Sequence, residues 1–256
     1  MECGSTKTGI LLSVMNRKYV NILLSVPVFG LLYLVTGISV IITLIFALAN
    51  QEKLARLAMN FWANAIFYLM GKKLNISGAE NIVKNKRYIL LVNHCSIFDI
   101  PAVMAFYPDV SWFGREYLLK IPLFGRLLKV TDYVSMKEAG ISNTKRMLNS
   151  LVKNSGKHTI AIFPEGTRTA TGQINRFYKG FIYVMRAVNL DILPVTLNGL
   201  YELKPKTRFY IDFGVNLQVI IHKPIPVSEL LVKEDNEIIS IVKSQMKSGL
   251  VSCPRT

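Results

Sequence analysis

Cysteine is scarce and unpatterned in this sequence. Its three residues, Cys3, Cys95 and Cys253, are odd in number and no C-x-x-C occurs. That excludes a disulfide framework and a cysteine-spaced zinc site, no other metal cluster is visible, and the pattern fits a reducing compartment. Acidic residues are also short: 16 Asp+Glu stand against 31 Lys+Arg, a formal net charge of +15. Such a balance draws polyanions, whether nucleic acid, anionic lipid headgroups or phosphorylated substrates. The basic residues are spread along the chain, and no RNP motif, zinc-finger spacing or basic-zipper pattern is present, so nucleic acid is not expected as a partner. The G-x-S-x-G elbow of the usual lipase layout is missing too.

Charge is absent altogether from Tyr19 to Gln51. A spanning helix needs about 20 apolar residues, and this run exceeds that. It is too long for the apolar region of a signal peptide. Pro27, Gly30 and Gly37 interrupt it, which leaves three readings: one tilted helix, one kinked helix, or two short helices that enter and leave one leaflet. Lys7, Arg17 and Lys18 precede the run, and Lys53 and Arg56 follow it, so the positive-inside count is nearly silent. Residues 51–70 then follow helical spacing. Trp62 and Tyr68 there suit a membrane interface, and a plain amphipathic core helix fits equally well.

After Gly71 short β-type runs alternate with helical stretches. Strands are expected at 73–78, 88–92, 110–114, 131–135, 159–163, 192–198, 207–213 and 215–222. Helices are expected at 97–107, 116–128, 139–154, 178–188 and 228–247. The alternation predicts an α/β fold: a mixed, largely parallel sheet flanked by helices, behind an N-terminal apolar, membrane-associated helical segment. The last two strands read as a hairpin around Phe213 and Gly214, which makes the sheet mixed. The division expected is 1–70 as membrane-anchoring segment and 71–256 as catalytic domain.

Two constellations carry chemistry. Asn93-His94-Cys95-Ser96-Ile97-Phe98-Asp99 begins where the apolar strand YILLV ends, and strand C-termini are where α/β sites form. His94 can act as a base near neutral pH, and Asp99 can fold back to hold its tautomer. Phe163-Pro164-Glu165-Gly166-Thr167-Arg168 follows the strand TIAIF. Its Pro and Gly favour a loop, and its Arg suits phosphate through paired charge-assisted bonds. Each alone has a bland reading: a first-turn acid beside a histidine, and a turn with an arginine. His158, His222 and the C-terminal Lys233, Lys243 and Lys247 carry no partner pattern and read as structural or solvated.

Together, in this order and about 70 residues apart, the two strings resemble the glycerolipid acyltransferase family, which includes the 1-acyl-sn-glycerol-3-phosphate acyltransferases. A six-residue string such as FPEGTR is expected by chance in about one in a hundred thousand sequences of this size. Two more blocks agree: Gly114-Arg115 through Lys120-Ile121-Pro122-Leu123-Phe124-Gly125, and Leu193-Pro194-Val195-Thr196-Leu197-Asn198-Gly199.

The resemblance implies transfer of a fatty acyl chain from an acyl-CoA or acyl carrier protein thioester to the sn-2 hydroxyl of lysophosphatidic acid, giving phosphatidic acid. It implies His94 as general base, oriented by Asp99, with no covalent acyl-enzyme through Cys95. Glycerol phosphate falls to Arg115, Lys120, Glu165, Gly166, Thr167 and Arg168, with Glu165 fixing a basic side chain or a glycerol hydroxyl. Asn93 and Ser96 support the loop, and Pro194 and Val195 shape the acyl or thioester channel. Loop amides near the first block are the expected oxyanion donors. The donor thioester is a substrate, and no cofactor or metal is implied. Membrane lipids and an acyl carrier protein are the expected partners. A cytosol-facing catalytic domain on a bacterial inner membrane, or an organellar equivalent, is the expected location. Glycerol 3-phosphate or another lysophospholipid is the alternative acceptor; a lipid hydrolase or a silent lipid-binding adaptor is the alternative class.

Overall fold

The computed structural model describes residues 5–120, 125, 128, 133–136 and 149–251, without the side chains of residues 5–16, Arg115 and Met136. The apolar run forms one continuous helix, α1 (Ser5–Leu48), which contains Pro27. Of the three readings, the two short helices are the one not adopted. At 1.5 Å per residue its 44 residues reach about 66 Å. The stretch from Arg17 to Leu48 is long and apolar enough to cross a membrane. Most of its large side chains lie bare, Leu23, Tyr33, Leu34 and Leu48 among them.

Asn50, in the left-handed region at φ 56°, turns the chain back. The amide of Gln51 closes the turn on the Phe46 carbonyl (2.8 Å). Helix α2 (Glu52–Leu69) then packs against α1. Its Ala55, Met59, Ala63, Ile66 and Phe67 share one buried face, while Phe61 and Tyr68 lie exposed on the other. The amphipathic core-helix reading of residues 51–70 therefore holds. Trp62 faces inward, and its indole N–H donates to Thr36 Oγ1 of α1 (3.0 Å). Gly71 (φ 63°) ends α2, and the Lys72 amide returns to the Phe67 carbonyl in a Schellman-type closure.

The sheet has seven strands: β1 (Leu74–Ser77), β2 (Ile89–Val92), β3 (Val110–Arg115), β4 (Val134–Met136), β5 (Thr159–Ile162), β6 (Ile192–Asn198) and β7 (Leu217–Ile221). Their order is β1-β7-β6-β2-β5-β3-β4, and only the β6–β7 pair is antiparallel. β2 and β5 are buried at every position, which is why both read as unbroken apolar runs. Alternate residues serve two cores. Leu90, Val92, Leu193 and Val195 pack toward α2 and α3 (Asp99–Phe106). Ile89, Leu91, Ile160 and Ile162 pack toward α4 (Gly180–Val188) and α5 (Asp235–Ser248).

The strand expected at 207–213 is not formed, and neither is the hairpin. Tertiary contacts override β propensity there. The Arg208 guanidinium donates to the carbonyls of Glu202, Leu203 and Tyr210. The Asp212 amide donates to the Leu203 carbonyl (2.9 Å), and Ile211 is spent on the core. The sheet is mixed because β7 returns from this loop to lie antiparallel to β6. The helix expected at 228–247 breaks into a short turn, Val227–Leu231, and α5. At the start of α5, Asp235 pairs with Lys179 and Arg186. Of the helix expected at 116–128, Glu116–Lys120 is a 3₁₀ turn, and Gly125 and Leu128, the other described residues, are helical. Of that expected at 139–154, only 149–154 is described, and it is helical; the start of the strand expected at 131–135 also lies outside the described residues.

A polar stripe joins α1 to the loop that precedes β7. Arg17, Asn21 and Ser25 lie four residues apart on one helix face. Arg17 and Asn21 donate to Asp212 Oδ1 (2.8 and 3.2 Å), and Ser25 Oγ accepts the Ile211 amide (2.8 Å). Burial pushes the Asp212 carboxyl up, but the Gly214 amide, Arg17 and Asn21 outweigh it and hold the carboxyl below its usual value. Such a group stabilises the fold above the unfolded carboxylate pKa of about 3.9, and the contribution fades as pH falls through the lower folded value. Asp212→Ala should cost about 1 kcal/mol, no more, because Arg17 is half exposed. Faster hydrogen exchange at the Ile211 amide, with exchange at Leu90 unchanged, is the expected signature.

Candidate active site

β2 and β5 are neighbours running in the same direction, so the loops that follow them emerge side by side. This is why the two constellations, far apart in sequence, form one site. Asn93 acts as an extra rung between β2 and β6: its amide donates to the Leu197 carbonyl (3.1 Å) and accepts the Leu197 amide (2.7 Å). The chain then turns at His94 and enters α3 at Asp99.

Asp99 is wholly buried. Its Oδ2 accepts the amides of Cys95 (2.6 Å) and Ser96 (2.9 Å) and lies 2.7 Å from His94 Nδ1. With two N–H groups already aimed at it, the carboxylate is the natural acceptor for an Nδ1–H, which leaves Nε2 as the basic nitrogen. Nε2 meets no hydrogen-bonding group among the described residues. The imidazole is one-fifth exposed and stacks on Phe163 at 4.1 Å between ring centroids, with Trp112 behind Phe163 at 5.3 Å.

Among the described residues Glu165 holds no basic side chain, one of the two roles expected of it. It is 1% exposed, and its two oxygens accept backbone amides, His94 N–H on Oε1 and Asn175 N–H on Oε2, each at 2.7 Å. Burial raises its carboxyl pKa, opposed by those two amides. The Thr169 amide returns to the His94 carbonyl (2.8 Å). The two loops are thus tied by a carboxylate in one direction and a backbone bond in the other. Gly166 sits at φ 62°, which favours glycine, and a Cβ there would press on the Tyr178 ring at 3.3 Å.

A cavity of about 480 Å³ opens beside His94. Thr167 and Arg168 border it near the histidine, and Met59, Trp62, Ile100 and Met104 line its apolar wall. That volume suits a drug-sized or acyl-chain ligand.

The expected site residues therefore divide. His94, Asp99, Glu165, Gly166, Thr167 and Arg168 come together. Ser96 supports the loop as expected, donating through Oγ to the Lys204 carbonyl (2.7 Å). Pro194 and Val195 do not border the cavity; they lie in β6 against Leu91 and Val92. Lys120 is exposed at the end of its 3₁₀ turn and does not border it either. The Arg115 side chain lies outside the described residues. Sequence reading missed the aromatic support of the imidazole, although Phe163 stands at the head of the second constellation. It missed Trp62 and Met59 because this part of the cavity wall comes from α2, outside the two constellations. His158 and His222 are structural as expected: His158 Nδ1 pairs with Asp109 (2.6 Å) and His222 Nε2 with Thr196 Oγ1 (2.8 Å). Among the described residues no group of three or more His, Cys, Asp or Glu could hold a metal ion.

An acyltransferase family model matches residues 73–198, a span that contains both loops. The 1-acyl-sn-glycerol-3-phosphate acyltransferase of Cocos nucifera is 31% identical over 141 residues, 53% of this chain and 44% of that protein. Residues 73–198 thus carry a likeness to acyltransferases. The corresponding acyltransferase of Borreliella burgdorferi is 28% identical over 186 residues, 72% of this chain and 74% of its own. A chloroplastic one from Arabidopsis thaliana is 28% identical, with 68% of this chain and 49% of that protein covered. The chain thus spans about half the length of the plant acyltransferases it matches. In fold it is similar to the crystal structure of the Thermotoga maritima 1-acyl-sn-glycerophosphate acyltransferase. The TM-score is 0.75 at 23% identity, covering 91% of this chain and 95% of that one.

Proposed function

We propose that this protein transfers a fatty acyl chain from an acyl thioester to the sn-2 hydroxyl of 1-acyl-sn-glycerol 3-phosphate, forming phosphatidic acid. The observation that carries the reading is His94, held through Nδ1 by a buried carboxylate and free at Nε2 beside an apolar cavity. The names of the coconut and Borreliella relatives support the same acceptor.

The chemistry follows from the placement. Nε2 takes the proton of the acceptor hydroxyl as its oxygen bonds to the thioester carbonyl carbon. The imidazolium, stabilised by Asp99, returns that proton to the sulfur as the C–S bond breaks. The free thiol and the new ester leave, and His94 is neutral again. The acyl chain lies in the cavity between α2, α3 and the sheet. Arg168, bordering the cavity, meets the phosphate.

Three of the loop amides expected as oxyanion donors near the first block are already spent. The amides of His94, Cys95 and Ser96 are all committed to Glu165 or Asp99. Those of Thr167 and Arg168 donate to no described group, and both residues border the cavity, so they take the role. Cys95 is buried, and burial, then Asp99, pushes its thiol pKa well up, away from the reactive thiolate. Direct transfer therefore needs no acyl-enzyme. Cys95→Ala should keep kcat within about threefold of wild type, since a buried Cys acts as a small hydrophobe.

Residues 1–70 form the membrane anchor in this reading and 71–256 the catalytic unit. The bare apolar flank of α1 lies in the lipid, and the active site faces the cytosol, where the soluble donor (acyl-CoA or an acyl carrier protein) arrives. The deciding assay is thiol release from acyl-CoA by detergent-solubilised protein with and without 1-acylglycerol 3-phosphate. Acceptor-dependent release supports transfer. Release that ignores the acceptor would make the protein a thioesterase and overturn the proposal.

A further inference from the structure

Three loops converge beyond His94. Besides the two already described, the segment 200–208 is laced to both. Ser96 Oγ donates to the Lys204 carbonyl (2.7 Å), and Lys206 Nζ donates to the Arg168 carbonyl (2.7 Å). Tyr201 Oη donates to the Ala170 carbonyl (2.8 Å), and its ring packs against Gly172. Arg208 is consumed in shaping the segment: it donates to three carbonyls of its own loop and stacks on Tyr210 at 4.6 Å.

Lys204 and Lys206 are held differently. The Lys204 ammonium meets only the carbonyl of Pro205 (3.1 Å), and Lys206 only that of Arg168. Among the described residues neither lysine, nor Arg168, pairs with a carboxylate. Elsewhere in this chain partnered cations are common: Lys86 with Asp191, Lys179 and Arg186 with Asp235, Lys233 with Glu237. Here a loop fixed by backbone bonds brings three cations together without a counter-charge. Burial lowers the Lys204 pKa, and the nearby Arg168 and Arg208 lower it further, so like charges face one another here. Of the three cations Arg168 borders the cavity and the two lysines stand behind it, and such a cluster attracts an anion.

We propose that Lys204 and Lys206, with Arg168, form a phosphate-binding rim at the mouth of the active-site cavity. The proposal rests on the acyl-transfer reading for its purpose, though its test does not. The ligand chemistry is a phosphate dianion, carried by the lysolipid acceptor or by coenzyme A in the donor. Arg168 supplies a planar fork of donors and the two lysines supply compact charge, so the rim grips phosphate from several sides. The Ser96 tether places the rim one loop away from the base, so a bound phosphate orients its carrier toward Nε2.

The test is binding, without turnover. Isothermal titration of detergent-solubilised wild type and of the Lys204→Gln, Lys206→Gln double variant would use three probes singly: 1-acylglycerol 3-phosphate, the neutral 1-acylglycerol, and coenzyme A. The double variant should bind a phosphorylated probe at least about tenfold more weakly, as loss of charge-assisted bonds requires. Binding of 1-acylglycerol should not change. Weakening confined to the lysolipid assigns the rim to the acceptor, and weakening confined to coenzyme A assigns it to the donor; both support it. The Lys204→Arg, Lys206→Arg variant should restore most of the affinity, which a merely structural role for the lysines would not require. Unchanged affinity for both phosphorylated probes, in a variant whose circular dichroism matches wild type, overturns the proposal. Failure of the acyl-transfer reading would show separately, as absent thiol release by wild type.

Discussion

His94→Ala should lower kcat for acyl transfer about 10²–10⁴-fold, the range a positioned general base supplies. The fold should survive, because the imidazole is partly exposed and its loss empties space that opens onto the cavity. Loss concentrated in kcat, with acceptor KM nearly unchanged, would identify proton transfer rather than binding. Asp99 sharpens the test. Asn at this position keeps an oxygen for the three donors now converging on Oδ2 and loses only the charge. A charge-assisted bond exceeds a neutral one by roughly 1–2 kcal/mol, so Asp99→Asn should cost about 10-fold in kcat with little change in Tm. Asp99→Ala instead orphans the Cys95 and Ser96 amides. It should lower kcat more than Asn and reduce stability as well. Equal kcat for wild type and both Asp99 variants would mean that the carboxylate only builds the turn.

The parts of this architecture that were legible in sequence are those where burial acts on both sides of a strand. Ile89–Val92 and Thr159–Ile162 read as unbroken apolar runs because helices cover both faces, and the polar motifs after them mark the strand ends. That these motifs meet was readable only through resemblance, since adjacency of β2 and β5 is a property of strand order. Phe209, Tyr210 and Ile211 misled for a physical reason. Their β propensity is real, but Arg208 and Asp212 draw the local carbonyls and amides into side-chain bonds before a ladder can form. Pro194 and Val195 misled differently: they sit beside the site in sequence blocks, yet the pleat turns them into the core. Pro27 suggested a break, and the helix carries through it, since a proline removes one hydrogen bond from a helix this long.

Glu165→Ala should be the most damaging change outside the catalytic pair, in stability and in rate together. The carboxylate touches neither substrate nor reacting atoms. It caps the His94 and Asn175 amides, 71 and 10 residues away in sequence and both at 2.7 Å. Removing it leaves two buried donors unpaired at about 1–3 kcal/mol each, so a loss of roughly 2–5 kcal/mol is expected, readable as a fall in Tm. The same change frees the backbone that aims the imidazole, and a 1 Å misplacement is worth about 10²-fold in rate. Glu165→Gln separates these effects. One amide oxygen can replace one carboxylate oxygen, but the NH₂ must face the other backbone N–H. The Gln variant should therefore stay better folded than Ala while its kcat falls at least about tenfold. Recovery of full activity in Glu165→Gln would show that the two loops hold His94 without this bridge, and that the Thr169 to His94 backbone bond alone sets the base in place.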